Sequence, residues 1–179
     1  IGDTVALVAA ETRAQAVAAL DKIRVDYEQL PVLDDPHAAM ADDAIQIHDQ
    51  WPNLCYSQPQ LKGDAAAALA GSQAAIEARF RTQINHQAPL EPEACVAYLE
   101  GEGEDEQLVV IGRSINIHHH MGMLQDAVGW ENMRYIEAFS GGQFGIKIEI
   151  TSEGLAAAAA LHFRRPVRYV PSLTESLEM

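Results

Sequence analysis

The chain has 179 residues, 48% of them hydrophobic and 6% aromatic, which is enough for one large domain or two small ones. Its net charge of -14, with only 12 Lys and Arg residues, argues against nucleic acid or an anionic membrane surface as a partner. No run approaches the roughly 18 apolar residues of a membrane span, and no signal-peptide pattern opens the chain. Cys55 and Cys95 lack a CxxC partner, so we expect buried thiols and a cytoplasmic location.

The first 60 residues predict a small β-α-β unit followed by irregular structure. The apolar run at residues 4–10 and the alternating run at residues 24–28 are typical of strands, and the apolar spacing at residues 13–23 is typical of a helix. A Pro- and Asp-rich stretch at residues 34–59 predicts mostly irregular structure and a domain boundary near residue 60. Because the chain opens directly on a strand-like run without an initiator Met, we expect a piece of a longer protein.

Strand-like runs continue through the second part of the chain. Residues 74–83, 94–99, 107–112 and 167–170 predict four strands. The acidic stretch at residues 100–106 (EGEGEDE) lacks the spacing and the distal bidentate Glu of a calcium loop. We therefore expect this stretch to be a solvated hairpin tip.

A helix is predicted at residues 114–130, where Asn116 can cap the first turn. Three histidines, His118, His119 and His120, follow one another at its start. Consecutive helical residues point about 100 degrees apart, so three adjacent imidazoles cannot easily converge on one metal ion. We therefore expect structural or surface roles for the three histidines.

The glycine loop at residues 141–147 (GGQFGIK) is the strongest sign of a ligand site. It follows a strand-like run at residues 133–139 and precedes an alanine-rich helical pattern at residues 151–161, which Thr151 or Ser152 can cap. Glycines let the backbone approach a bound group closely, and strand–loop–helix units commonly hold phosphates and cofactors. For such a loop taken alone, a plain turn is the alternative interpretation.

Four motifs in a fixed order carry a family resemblance. They lie at residues 2–31, 86–99 (HQAPLEPEACVAYL), 141–147 (GGQFGIK) and 164–170 (RRPVRYV). Together they resemble the large catalytic subunit of the molybdenum hydroxylases, the xanthine dehydrogenase and aldehyde oxidoreductase family. Because the motifs are spread over nearly the whole chain, the resemblance is far more specific than the glycine loop alone.

The resemblance implies an α+β (mixed α/β) fold in which residues 1–60 are the C-terminal part of an α/β hammerhead domain. Residues 61–179 are then the N-terminal part of the molybdopterin-binding domain. The family hydroxylates carbon centres with oxygen from water, using molybdopterin with molybdenum, and we expect the cytosine dinucleotide form. Iron–sulfur clusters would lie on further domains or subunits. The resemblance therefore implies two partners, the iron–sulfur domain or subunit and the remainder of the large subunit.

The resemblance also assigns cofactor-binding residues. In the family the backbone of this loop approaches the oxygen ligands of molybdenum, which corresponds to Phe144 and Gly145 here, with Gly141, Gly142 and Gln143 shaping the turn. Backbone N–H groups stabilise charge on an oxo group without adding a titratable side chain. A phenyl ring beside them can exclude water. No side chain of this chain is expected to bind the metal directly.

Two departures from the purine-oxidising members indicate a different substrate. Ile115 stands where those enzymes have an amide that contacts the apical oxygen, and Ile148 stands where they have a substrate-binding glutamate. With Phe144, these residues predict an apolar pocket similar to that of the bacterial aldehyde oxidoreductases. A small-molecule aldehyde is therefore the expected substrate.

The family's general-base glutamate lies far downstream and has no counterpart before Met179. We therefore expect no catalytic residue within this chain, and the piece alone should be inactive. Glu91 and Glu93, in the sequence LEPE, are expected to pack and hydrogen bond rather than to act as an acid–base pair. The alternative to the enzyme interpretation is a non-catalytic scaffold or assembly module without bound cofactor.

Overall fold

The computed structural model describes residues 3–178, which divide into two units. The smaller unit comprises residues 24–82, and the larger unit comprises residues 3–23 together with residues 83–178. The domain boundary near residue 60 stays a prediction, because a division by packing does not test where one domain of a longer protein ends.

The larger unit contains helix α1 (Arg13–Leu20), which begins with a capping box. Oγ1 of Thr12 accepts a hydrogen bond from the N–H of Gln15 at 3.3 Å, and Oε1 of Gln15 accepts one from the N–H of Thr12 at 3.0 Å. These bonds satisfy backbone donors that the helix itself leaves unpaired. The predicted helix is confirmed, although it ends at Leu20 rather than at residue 23.

Three predicted strands are wrong. Residues 4–10, 24–28 and 74–83 form no strand, so the predicted β-α-β unit is absent from the described residues. A strand needs a neighbour for its backbone N–H and C=O groups, and no strand pairs with these runs within residues 3–178. Most of their apolar side chains stay exposed, with Ile76 at 95% and Phe80 at 91%.

The smaller unit contains two short helices, α2 (Pro36–Ala39) and α3 (Ala65–Ala70). The stretch at residues 34–59 is otherwise largely irregular, as predicted. Its main anchor is the side chain of Asn53, which hydrogen bonds to three backbone groups. Cys55 is exposed, so the prediction that it is a buried thiol is wrong.

The larger unit is built on a four-stranded sheet with the strand order β3-β2-β1-β4. Its strands are β1 (Cys95–Glu100), β2 (Gln107–Gly112), β3 (Met133–Glu137) and β4 (Val167–Tyr169). Strand β1 is antiparallel to both β2 and β4, while β2 and β3 run parallel. All four strands were expected at these places, and the acidic residues between β1 and β2 form the predicted hairpin tip.

Two helices, α4 (Ile117–Val128) and α5 (Thr151–Phe163), pack against this sheet, and a short α6 (Leu173–Glu178) follows β4. Small side chains on α5 let the helix lie close to the sheet. The mixed α/β fold class is thus confirmed. The buried core consists of Cys95, Ala97, Leu108, Val110, Leu124, Met133, Tyr135, Ala156, Ala157 and Ala160.

The starts of the two packed helices differ from each other. Helix α4 begins as predicted, because Oδ1 of Asn116 accepts a hydrogen bond from the N–H of His119 at 3.4 Å. The predicted cap of α5 is wrong, since its N-cap is Ile150 and no side chain caps it. A short 3-10 turn at Ile146–Ile148 brings the chain to Ile150, which leaves Thr151 already inside the helix.

Candidate functional site

The glycine loop reverses direction through three residues with positive φ, namely Gly142 at 100°, Phe144 at 47° and Gly145 at 101°. Glycine adopts this conformation freely, whereas for Phe144 it costs about 1–2 kcal/mol. Strained non-glycine residues of this kind cluster at ligand and active sites. The loop that the sequence singled out is therefore also a strained segment of the structure.

Three successive N–H groups of the loop, those of Gly142, Gln143 and Phe144, donate to no acceptor within residues 3–178. The N–H of Gly145 donates to Oε1 of Gln143 at 3.4 Å, and the N–H of Ile146 donates to the carbonyl of Gln143 at 3.0 Å. A Cβ placed on Gly145 would meet no atom within 4 Å, so the backbone there borders open space. Successive unpaired N–H groups in a turn can bind an oxygen that carries negative charge.

A single carboxylate, that of Glu91, contacts both ends of the glycine loop. Its Oε2 accepts hydrogen bonds from the N–H of Gly141 and from Nζ of Lys147, each at 2.6 Å. Its Oε1 lies 2.7 Å from Nε of Arg113, which belongs to the segment between β2 and α4. Nη1 of Arg113 donates to the carbonyl of Ala94 at 2.7 Å. One acidic side chain thus joins three separate segments.

The charge of Glu91 is fixed by these contacts. Burial would raise the pKa of Glu91, but the hydrogen bonds from Lys147 and Gly141 and the Arg113 guanidinium lower it to about 2. The carboxylate is therefore ionised at neutral pH. Lys147 is only 2% exposed and needs this negative charge beside it. The prediction that Glu91 hydrogen bonds is confirmed, but its position at the loop was missed.

An open cleft of about 420 Å³ lies beside the loop. Glu93 forms part of its wall, and Oε2 of Glu93 accepts a hydrogen bond from Oγ of Ser176 at 2.7 Å, as the sequence led us to expect. Within the described part of the chain, Oε1 of Glu93 has no hydrogen-bond partner. The cleft is lined by Gln87, Glu93, Gly145, Ile146, Glu149, Thr151, Ser152 and Glu153.

A buried polar cluster lies between the sheet and the first turn of α5. Oε1 of Glu153 accepts hydrogen bonds from the hydroxyl of Tyr135 and the N–H of Arg113, both at 3.3 Å. Nε2 of His120 lies 3.9 Å from the same oxygen. Burial raises the pKa of Glu153 and lowers the pKa of His120, which favours the neutral form of each. The sequence offered no sign of this cluster.

The three residues of the predicted substrate pocket are all solvent exposed, Ile115 at 49%, Phe144 at 73% and Ile148 at 41%. Ile115 follows Arg113 by two residues and Ile148 follows Lys147 directly, so Glu91 links the segments that carry them. The substrate roles of these residues stay predictions, as do the cofactor contacts of residues 141–145.

His118 and His119 are exposed, whereas His120 is buried with its ring centroid 5.0 Å from that of Tyr135. Among residues 3–178, no three His, Cys, Asp or Glu side chains are grouped so that they could hold a metal ion. None of the described helices is both long enough and apolar enough to cross a bilayer.

A small mixed sheet covered by two helices, with a glycine loop that presents backbone N–H groups, has the features of a cofactor-binding domain. The family model of the molybdopterin cofactor-binding domain matches residues 47–179. The chain therefore belongs to the molybdopterin cofactor-binding domain family.

Known relatives agree with this assignment. Aldehyde oxidoreductase of Megalodesulfovibrio gigas is 38% identical over 169 residues, which are 93% of this chain and 18% of that protein. The nicotinate dehydrogenase large molybdopterin subunit of Eubacterium barkeri is 30% identical over 177 residues, or 98% of this chain and 41% of that protein.

Solved structures extend the similarity to the fold. The crystal structure of the aldehyde oxidoreductase from Desulfovibrio desulfuricans matches with a TM-score of 0.83 at 31% identity, over 93% of this chain and 19% of that chain. The chain thus spans less than half the length of each of these relatives. The resemblance to molybdenum hydroxylase large subunits is confirmed.

Proposed function

We propose that the chain forms one wall of the molybdopterin site in a larger oxidoreductase that oxidises aldehydes to carboxylic acids with oxygen from water. The glycine loop carries the proposal, because its strained backbone leaves three N–H groups unpaired within residues 3–178. When bound, a molybdenum centre supplies the redox and oxygen-transfer chemistry that amino-acid side chains lack.

The residues of the loop fit such a cofactor. Residues 141–145 would hold it, with the unpaired N–H groups of Gly142, Gln143 and Phe144 facing its oxygens; such groups stabilise an oxygen-bound charge and do not titrate. The exposed ring of Phe144 is available to exclude water beside it. Glu91 neutralises the buried charge of Lys147, so the loop presents backbone dipoles rather than a free ammonium group.

An aldehyde is the substrate that the side chains support. Ile115 and Ile148 offer apolar surface and no group that could hydrogen bond to a heterocycle. The relative named aldehyde oxidoreductase is 38% identical to this chain, whereas the nicotinate dehydrogenase subunit is 30% identical. The apolar side chains and the higher identity to the aldehyde oxidoreductase both favour an apolar aldehyde over a polar ring as the substrate.

Other parts of the proposal concern the longer protein. We propose the cytosine dinucleotide form of the cofactor, an iron–sulfur domain or subunit that carries electrons away from it, and a cytoplasmic location. The general base would come from another part of the large subunit, which would leave this piece inactive by itself. Residues 1–60 would then belong to the hammerhead domain and residues 61–179 to the molybdopterin-binding domain.

The test is the metal content of the gene product that contains this chain, expressed together with cofactor-assembly machinery. We expect near-stoichiometric molybdenum and, after acid release, a cytidine nucleotide. The substitution Gly145→Val should remove most of the molybdenum, because a branched side chain at φ 101° both strains the loop and fills the space beside it.

Gly103→Val is the matched control for this test. Gly103 also has a positive φ, of 62°, and a Cβ there would also meet no atom within 4 Å, but it lies in the acidic hairpin tip. The control should keep its molybdenum. A folded parent protein that binds no molybdenum would contradict the proposal and favour a scaffold or assembly module.

A further inference from the structure

We propose that Glu91 is a positioning residue that sets the glycine loop in its cofactor-binding conformation before the cofactor arrives. This inference rests on the function proposed above. Its basis is that one carboxylate holds the first and the last residue of the loop, through the N–H of Gly141 and Nζ of Lys147, each at 2.6 Å. A seven-residue loop closed at both ends on one group has few other conformations open to it.

The contact at the first end requires a glycine. A Cβ on Gly141 would lie 2.9 Å from Cβ of Glu91, closer than real Cβ atoms approach one another. The φ of Gly141 is not positive, so its backbone conformation does not require a glycine. The glycine is needed there because a side chain would block the approach of Glu91. This separates its role from that of Gly142 and Gly145, which have positive φ.

The contact at the second end has an electrostatic reason. Nζ of Lys147 is almost fully buried, and Glu91 is its one anionic partner among residues 3–178. A buried ammonium group with no counter-charge is strongly unfavourable, so the loop end must stay where the carboxylate is. Burial of Lys147 and ionisation of Glu91 therefore depend on each other.

The third contact couples the loop to the other wall of the proposed pocket. Arg113 binds both Glu91 and the carbonyl of Ala94, and its segment continues to Ile115. Glu91 thus fixes the loop relative to the segment that carries Ile115. A change at Glu91 should alter the loop and the proposed pocket together.

An ordinary surface ion pair provides the matched control. Glu100 and Arg134 also approach to 2.5 Å, but their side chains are 55% and 47% exposed, and such pairs contribute little. Glu100→Gln should therefore change neither the loop nor the cofactor content.

The experiment compares three variants of the gene product that contains this chain: Glu91→Gln, the double variant Glu91→Gln with Lys147→Met, and Glu100→Gln. The double variant removes the unpaired buried charge and protects the fold, while residue 91 still cannot hold residue 147. In metal-free protein, hydrogen exchange is measured for the peptide that covers residues 141–148, and thermal unfolding is measured beside it. After loading, the molybdenum that remains bound through desalting is measured.

We expect the double variant to unfold near the parent temperature, to exchange the hydrogen-bonded amides of the loop about tenfold faster and to lose most of its molybdenum, because charged hydrogen bonds hold the loop. If Glu91 had a purely structural role, the double variant would recover the amide exchange rate and the molybdenum content of the parent together with its stability. That result would overturn the inference. A parent without molybdenum would refute the proposed function, whereas unchanged exchange in metal-free double variant would refute the positioning role.

Discussion

The hydroxyl of Tyr135 donates to Oε1 of Glu153 at 3.3 Å, which connects β3 to the first turn of α5 beneath the backbone of Gly112. The end of β2 comes this close because Gly112 has no side chain. A Cβ there would lie 2.5 Å from Oε1 of Glu153 and 2.6 Å from the hydroxyl of Tyr135. The glycine therefore makes room for a buried polar cluster inside an otherwise apolar core.

Gly112→Ala should destabilise the fold by about 1–3 kcal/mol, because the added methyl group must displace two hydrogen-bonded side chains in a packed interior. Urea denaturation followed by circular dichroism measures the change.

Gly122→Ala is the control for Gly112→Ala. Gly122 lies within α4, and a Cβ there would meet no atom within 4 Å, so alanine should be neutral or up to about 1 kcal/mol more stable. Equal stabilities of the two variants would show that the polar cluster tolerates a methyl group and would contradict the close packing described here.

Glu153→Gln should stabilise the fold increasingly as the pH rises from about 4.5. Burial raises the pKa of Glu153 above its usual value of 4.5, so the neutral carboxyl favours folding below that pH. This contribution is lost as the pH rises through the raised pKa, because the folded state must then bury a charge. Glutamine keeps the acceptor oxygen for Tyr135 and Arg113 and has no charge to lose.

The measurement is the difference in unfolding free energy between Glu153→Gln and the parent across the acid to neutral range. Glu91, with a pKa of about 2, stays ionised in this range, and Cys95, with a pKa of about 12, stays neutral. Burial lowers the pKa of His120, whose Nε2 lies 3.9 Å from Oε1 of Glu153, so the two groups titrate as a pair and the difference reports on both. A difference that does not change with pH would mean that Glu153 has the same pKa in the folded and unfolded protein, which would contradict the raised pKa.

The strands of the sheet could be predicted because short runs rich in apolar and β-branched residues are bounded by turn signals, and helix α4 because Asn116 precedes an apolar periodic run. The apolar run at residues 4–10 and the alternating run at residues 24–28 look as strand-like but have no partner strand within residues 3–178, and pairing is a property of the whole fold that a local pattern cannot report. The predicted start of α5 failed for a related reason, because the preceding 3-10 turn decides which residue is the N-cap.

The candidate site, like the fold, could be predicted only in part. The glycine loop was visible in the sequence because glycine spacing reports local backbone conformation. The role of Glu91 was not visible in the sequence, because its partners Gly141 and Lys147 lie 50 and 56 residues away along the chain. Glu153 lies in the first turn of α5, where the helix dipole favours a carboxylate, but burial outweighs that effect and raises the pKa of Glu153.

Ile148→Glu should lower kcat/KM for an apolar aldehyde about tenfold or more in the complete enzyme, because it places a carboxylate without a partner in the proposed pocket. Ile148 is 41% exposed in this chain, so the stability should change by no more than about 0.5 kcal/mol. Steady-state kinetics beside thermal unfolding separate the two effects.

Ile136→Glu is the control, since Ile136 is 37% exposed on β3 and outside the proposed pocket. If both variants turned over the aldehyde at the parent rate, Ile148 would not line the pocket.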